Sequence, residues 1–76
     1  MKPTRQTQLR RIASNEVITP EGRSLTLHVV ELWNGYVNRY YPLQEEMANT
    51  EWVQGQIILK KETDGIRAYY QGISIT

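Results

Sequence analysis

Two stretches of this chain follow one plan, and each demands a reversal between extended segments. His28-Val29-Val30-Glu31-Leu32-Trp33 is followed by Asn34-Gly35 and then by Tyr36-Val37-Asn38-Arg39-Tyr40-Tyr41. Gln56-Ile57-Ile58-Leu59-Lys60-Lys61 leads through a turn closing on Asp64-Gly65 into Ile66-Arg67-Ala68-Tyr69-Tyr70. Asn-Gly and Asp-Gly between hydrophobic runs are the strongest short-range hairpin signals, because both residue types tolerate the positive φ of tight turns. The pattern specifies a β fold and no chemistry.

The remaining strands follow from alternation and turn residues. A first strand is expected over Arg11–Thr19, closed by Pro20-Glu21-Gly22, where Pro presets φ and Gly accepts positive φ. A second runs from Ser24 to Trp33. Its Leu25, Leu27 and Val29 share one face while Val30 and Leu32 take the other. Either the strand is buried on both sides there or a bulge near Val29-Val30 resets the register. The bulge is preferred, since small barrels need strongly bent strands. A two-residue loop at Asn34-Gly35 pairs Trp33 with Tyr36 and Leu32 with Val37. The third strand reaches about Tyr41 and stops at Pro42, which cannot donate to a ladder. Gln44–Glu51 breaks the alternation and favours one or two helical turns.

A fourth strand is expected over Val53–Lys61. A four-residue loop at Glu62–Gly65 then sets Leu59 opposite Ala68 and Ile57 opposite Tyr70. A two-residue loop pairs Glu62 with Arg67 and leaves Lys61 opposite Ala68; the spacing leaves both registers open. Ile73 and Ile75 mark a short last strand after a bend at Gly72. The expected fold is therefore all-β: a five- or six-stranded antiparallel meander over residues 11–76, forming a small barrel or β-sandwich. Residues 1–10 are expected to be a disordered basic tail.

Seventy-six residues make one domain with a modest core, since such a chain buries only about 60% of its unfolded surface. The sequence contains no Cys, which removes disulfides, thiolate metal sites and thiol nucleophiles together. No signal-like or membrane-spanning apolar run is visible, and a cytoplasmic location without membrane association is expected. The net charge of +1 conceals an asymmetry. Lys2, Arg5, Arg10 and Arg11 stand without an acid in residues 1–11, whereas residues 12–76 carry five basic and eight acidic groups. A slightly acidic body is not the footprint of a nucleic-acid-binding domain.

Candidate chemistry is sparse. His28 is the single histidine, mid-strand among hydrophobics, and a zinc site needs three or four ligands. Ser24 or Ser74 could be written into a triad with His28, but the strained turn that presents a nucleophile has no counterpart here. The five glycines match no phosphate-cradling loop. Glu45 and Glu46 are adjacent, so their carboxylates diverge; with Glu51 they read as a solvated acidic face. No catalytic residue, cofactor or metal is expected, and the chain is not read as an enzyme.

The aromatic set is the more informative one: Trp33, Trp52, Tyr36, Tyr40, Tyr41, Tyr69 and Tyr70, with no Phe. Tyr and Trp join a large apolar face to a polar handle, which suits half-buried strands and binding surfaces alike. In each Tyr-Tyr pair one ring faces inward and its neighbour outward. The candidate contact surface comprises Trp33, Tyr36, Arg39, Tyr40, Arg67 and Tyr69.

The stretch from Ile12-Ala13 to Ile58-Leu59 resembles the N-terminal β-sandwich segment that precedes the catalytic barrel of amidohydrolases. The parts that carry the resemblance are Val17-Ile18-Thr19-Pro20-Glu21-Gly22, then Val29-Val30-Glu31-Leu32-Trp33-Asn34-Gly35-Tyr36-Val37, then Gly55-Gln56-Ile57-Ile58-Leu59. Where that family continues into its metal-binding histidine pair, this chain has Lys60-Lys61-Glu62-Thr63-Asp64-Gly65. The resemblance thus implies a sandwich-like accessory architecture and carries over no catalytic residue. The expected role is a small non-catalytic protein-interaction module, pairing with a protein partner or a second copy through edge strands or the Tyr/Trp/Arg face. Single-stranded nucleic-acid binding by a small β-barrel, through the same rings, ranks second.

Overall fold

A computed structural model describes residues 9–44 and 49–76 of the chain. The expected tail falls largely on residues 1–8, and the core of the expected helical turn on residues 45–48; both lie outside the described residues. Leu9 and Arg10, counted with the tail, are strand residues.

Six strands are present: β1 (Leu9–Ile18), β2 (Ser24–Trp33), β3 (Tyr36–Pro42), β4 (Glu51–Glu62), β5 (Gly65–Tyr70) and β6 (Ile73–Ile75). They form one sheet in the order β3-β2-β1-β4-β5-β6. The expected meander is therefore corrected at one connection. β4 does not lie beside β3; the chain passes β2 and β1 and lays β4 parallel to β1, while every other pair is antiparallel. The physical reason lies in the available edges. β3 is short and ends on Pro42, whereas β1 offers a long free edge to the twelve-residue β4.

The hairpins obey their turn chemistry. Asn34 and Gly35 have φ of 54° and 84°, the two positive angles of a type I′ turn. Trp33 then pairs with Tyr36 and Leu32 with Val37, as the sequence predicts. In the second hairpin Leu59 faces Ala68 and Ile57 faces Tyr70, the register of the longer loop, with Glu62 and Gly65 themselves paired. The bend at Gly72 is a further two-residue turn: Gln71 and Gly72 have φ of 53° and 81° and join Tyr70 to Ile73.

The expected bulge near Val29-Val30 lies elsewhere. Val29 and Val30 are both fully buried, on opposite faces, in unbroken register with β1. The irregularity sits at Leu27, whose φ is 51°, opposite Asn15. On β4 the same level carries an extra residue, since Ser14 pairs with Val53 but Glu16 with Gln56. Gly55 adopts φ 110° there; its N–H donates to Asn15 Oδ1 at 2.8 Å, and the Tyr70 hydroxyl donates to the Gln54 carbonyl at 2.6 Å. A line of bending thus crosses three strands. It lets Ile12 and Val17, five residues apart, face the same core.

That core lies on one face of the sheet: Ile12, Val17, Val30, Leu32, Ile57, Leu59 and Ala68, flanked by Val37, Tyr40, Val53, Ile66, Tyr70 and Ile75. With one sheet and no helix among the described elements to cover it, the sheet curls over its own apolar face. The start of β3 meets the start of β5, where the Tyr36 ring lies against Gly65 and Arg67 donates to the Tyr36 hydroxyl at 3.0 Å. No backbone ladder joins them. The architecture is neither a closed barrel nor a two-layer sandwich.

Leu27 carries a γ-branched side chain in the left-handed region, which costs an L-residue about 1–2 kcal/mol. Its side chain is largely exposed, so little packing offsets that cost. Leu27→Gly is expected to raise stability by roughly 0.5 kcal/mol, after the ~0.5–1 kcal/mol entropic cost of Gly. A urea midpoint that shifts upward at unchanged slope checks it.

Candidate functional site

Alternation along β1, β2 and β3 sends the odd-numbered partners of the core residues to the outer face. There Leu9 pairs with Trp33, and Ala13 with Val29. Between these rows, Arg11 and Arg39 flank Glu31, each paired with it directly across a strand. Tyr41 lies opposite Val29, and Trp52 opposite Ala13. The outer face therefore carries two aromatic rows with a charged row between them. Leu9 and Ala13 are four residues apart, so the two tryptophans stand ~13 Å apart along the strands.

Glu31 organises the middle row. It is only 3% exposed, and a carboxylate so placed requires donors for its lone pairs. Oε1 accepts from Asn38 Nδ2 at 2.9 Å and from Arg39 Nε at 3.0 Å. Oε2 accepts from Arg11 Nε at 3.2 Å and more loosely from the Tyr41 hydroxyl at 3.4 Å. Asn38 reaches it because β3 holds one extra residue at that point, between the partners of Glu31 and Leu32. The Asn38 amide first, with Arg39 and Arg11, overcomes desolvation and holds the carboxyl at about 2. The row keeps a net positive charge from two guanidinium groups and one carboxylate, and Arg39 also stacks 5.1 Å from the Tyr41 ring centroid.

The six residues singled out from the sequence fall into three groups. Trp33, 49% exposed, and Arg39 belong to this outer face. Tyr36 and Arg67 meet at the seam between β3 and β5, the guanidinium 4.2 Å from the ring centroid. Tyr69 stands on the outer side of β5 beneath Lys60 Nζ at 5.0 Å, and its hydroxyl donates to Glu62, which raises the phenol pKa. Tyr40 packs against the core, and Tyr41 takes the outward place in that pair. Trp52, also 49% exposed, completes the surface; it lies before the strand expected over Val53–Lys61, and its place beside Ala13 depends on the parallel pairing.

His28 lies opposite Ser14 and Pro42, with Nδ1 3.1 Å from the Thr26 carbonyl. The Ser14 hydroxyl donates to the Glu16 carbonyl. Ser24 is committed to the Glu16 carboxylate. Among the described residues no group of three or more His, Asp or Glu side chains converges to hold a metal ion. Comparison with family models, curated proteins and solved structures returns no match for this chain.

The folded-state carboxyl of Glu31 titrates well below its ordinary 4.5. Its contribution to stability is therefore complete above pH 4.5 and lost as pH falls toward 2, amounting to at most about 3 kcal/mol. Denaturant unfolding between pH 7 and pH 2.5 should show this loss. Glu31→Gln should be less stable at pH 7 by about 1–3 kcal/mol and should lack this part of the acid dependence.

Proposed function

We propose that the chain is a small non-catalytic interaction module that engages a protein through the outer face of β1–β4. The observation that carries this reading is the pair Trp33 and Trp52, each half-exposed on one face and standing on opposite sides of the Arg39–Glu31–Arg11 row. Exposed Trp beside Arg and Tyr is the composition of interface anchors, where rigid rings fill a partner's pockets. The buried network of Glu31 fixes both arginines before binding, so little side-chain entropy is lost on association. The partner best suited presents a carboxylate between two apolar side chains, meeting the surplus positive charge of the row.

Nucleic acid stacking fits less well. Tyr36, Tyr41 and Tyr69 each already carry a guanidinium or ammonium group over the ring. Those cations use the π-faces that a base would need.

Trp33→Ala combined with Trp52→Ala is the direct test. Both rings are half-exposed, so the doubly substituted chain should keep its thermal midpoint within a few degrees. Its affinity for a purified protein partner captured by the unsubstituted chain should fall at least ~30-fold, the effect of losing an interface anchor. Unchanged affinity would remove this face from the binding surface. Tight binding of a single-stranded oligonucleotide, falling steeply with salt, would replace the protein reading with the nucleic-acid one.

A further inference from the structure

The two tryptophans of the outer face define a line, and one residue lies at its middle. Trp33 is on β2 at the level of Leu9, and Trp52 is on β4 at the level of Ala13. Arg11 stands on β1, the strand between them, two residues from each of those levels. It is thus midway along a diagonal of ~16 Å, made of ~13 Å along the strands and two strand spacings of ~4.8 Å. Arg39, on β3, lies to one side of that line.

Only one edge of the Arg11 guanidinium is occupied. Nε donates to Glu31 Oε2 at 3.2 Å, and neither Nη group makes a hydrogen bond among the described residues. The side chain is 30% exposed, so this unpaired fork is held in place without being sealed from solvent. A planar fork of this kind takes both oxygens of one carboxylate. Resting on the reading that this face engages a protein, we propose that it recognises an extended acidic segment. An aspartate or glutamate sits on the Arg11 fork, and apolar side chains two residues before and after it sit on Trp33 and Trp52.

Spacing selects the extended form. In a strand-like segment residues i, i+2 and i+4 share one face and span ~13 Å, short of the diagonal by less than one indole side chain. Charge selects the acidic centre, since two guanidinium groups against one carboxylate leave the row positive. A second copy laid face to face would oppose its own arginine row to this one, which like charges disfavour.

The probe is the acetylated and amidated peptide Leu-Thr-Asp-Thr-Leu, too short to hold a helix in water. The indole signals of Trp33 and Trp52, the two tryptophans of the chain, and the backbone amides report its binding to the full chain by NMR. Binding is expected with a Kd on the order of 100 µM to 1 mM. Asparagine in place of the peptide's aspartate should weaken it at least ~10-fold. Arg11→Lys keeps a charge and a donor for Glu31 but loses the fork; it should cost at least ~5-fold, more than Arg39→Lys. The asparagine peptide leaves the chain unaltered, so it decides alone if Arg11→Lys disturbs the fold. No binding up to ~5 mM would overturn the proposal and leave the protein reading to the captured partner. Equal affinity for the two peptides, or a larger loss at Arg39, would overturn it as well. If that equal affinity disappears in the double tryptophan variant, the face remains a peptide surface without the carboxylate seat. Affinity unchanged in the double tryptophan variant would overturn both readings. Displacement of the peptide by phosphatidylglycerol vesicles but not by phosphatidylcholine vesicles would assign the positive row to a lipid headgroup and also overturn the proposal.

Discussion

The parallel pairing of β1 with β4 joins what would otherwise be two separate β units. β1, β2 and β3 form one meander and β4, β5 and β6 another, and each has a single apolar face too small to bury alone. Laid side by side, they create a continuous row across five strands: Leu25, Val17, Ile57, Tyr70 and Ile73. Val17 and Ile57 at its centre are wholly buried. Removing water from that row supplies the favourable term that a two-stranded hairpin lacks. Trp52 owes its place on the outer surface to this contact.

The same pairing explains the bend. A single sheet that must cover its own face has to curl, and flat pleated strands resist curling. Leu27 in the left-handed region, Asn15 opposite it and the extra residue at Gly55 supply the break in three adjacent strands. The polar groups released by the break are taken up locally, by Asn15 Oδ1 and by the Tyr70 hydroxyl. At the seam the absence of a side chain on Gly65 admits the Tyr36 ring, since a Cβ there would stand 3.3 Å from its nearest ring atom. The curl therefore ends in a contact between side chain and backbone, without a ladder.

Glu31 shows how a one-layer fold handles polarity on its second face. A buried carboxylate usually detracts from stability unless its partners are well placed. Here two arginines, one amide and a phenol converge on it, three of them from the neighbouring β3. The network holds the outer face in register without a second layer. It also leaves both guanidinium groups turned partly to solvent between two exposed tryptophans. Structural support and the exposed positive charge of the outer face thus come from the same row of residues.

Local signals in the chain determined the hairpins. Asn34-Gly35 and the run from Gln56 to Tyr70 dictate turns and registers through φ preferences and alternation, which act over a few residues and need no knowledge of the rest. The inward and outward division of each Tyr-Tyr pair was legible for the same reason, although which member of Tyr40-Tyr41 faces out required the extra residue at Asn38 to be counted. The partner of β4 was not legible, because strand pairing across 35 or more residues is chosen by which free edge is long enough and unobstructed. For that reason the outer surface was only half visible in the sequence. Trp33 and Arg39 could be assigned to it from alternation, whereas Trp52 joined it, and Glu31 became its buried centre, only once the tertiary structure had set β1 between β2 and β4.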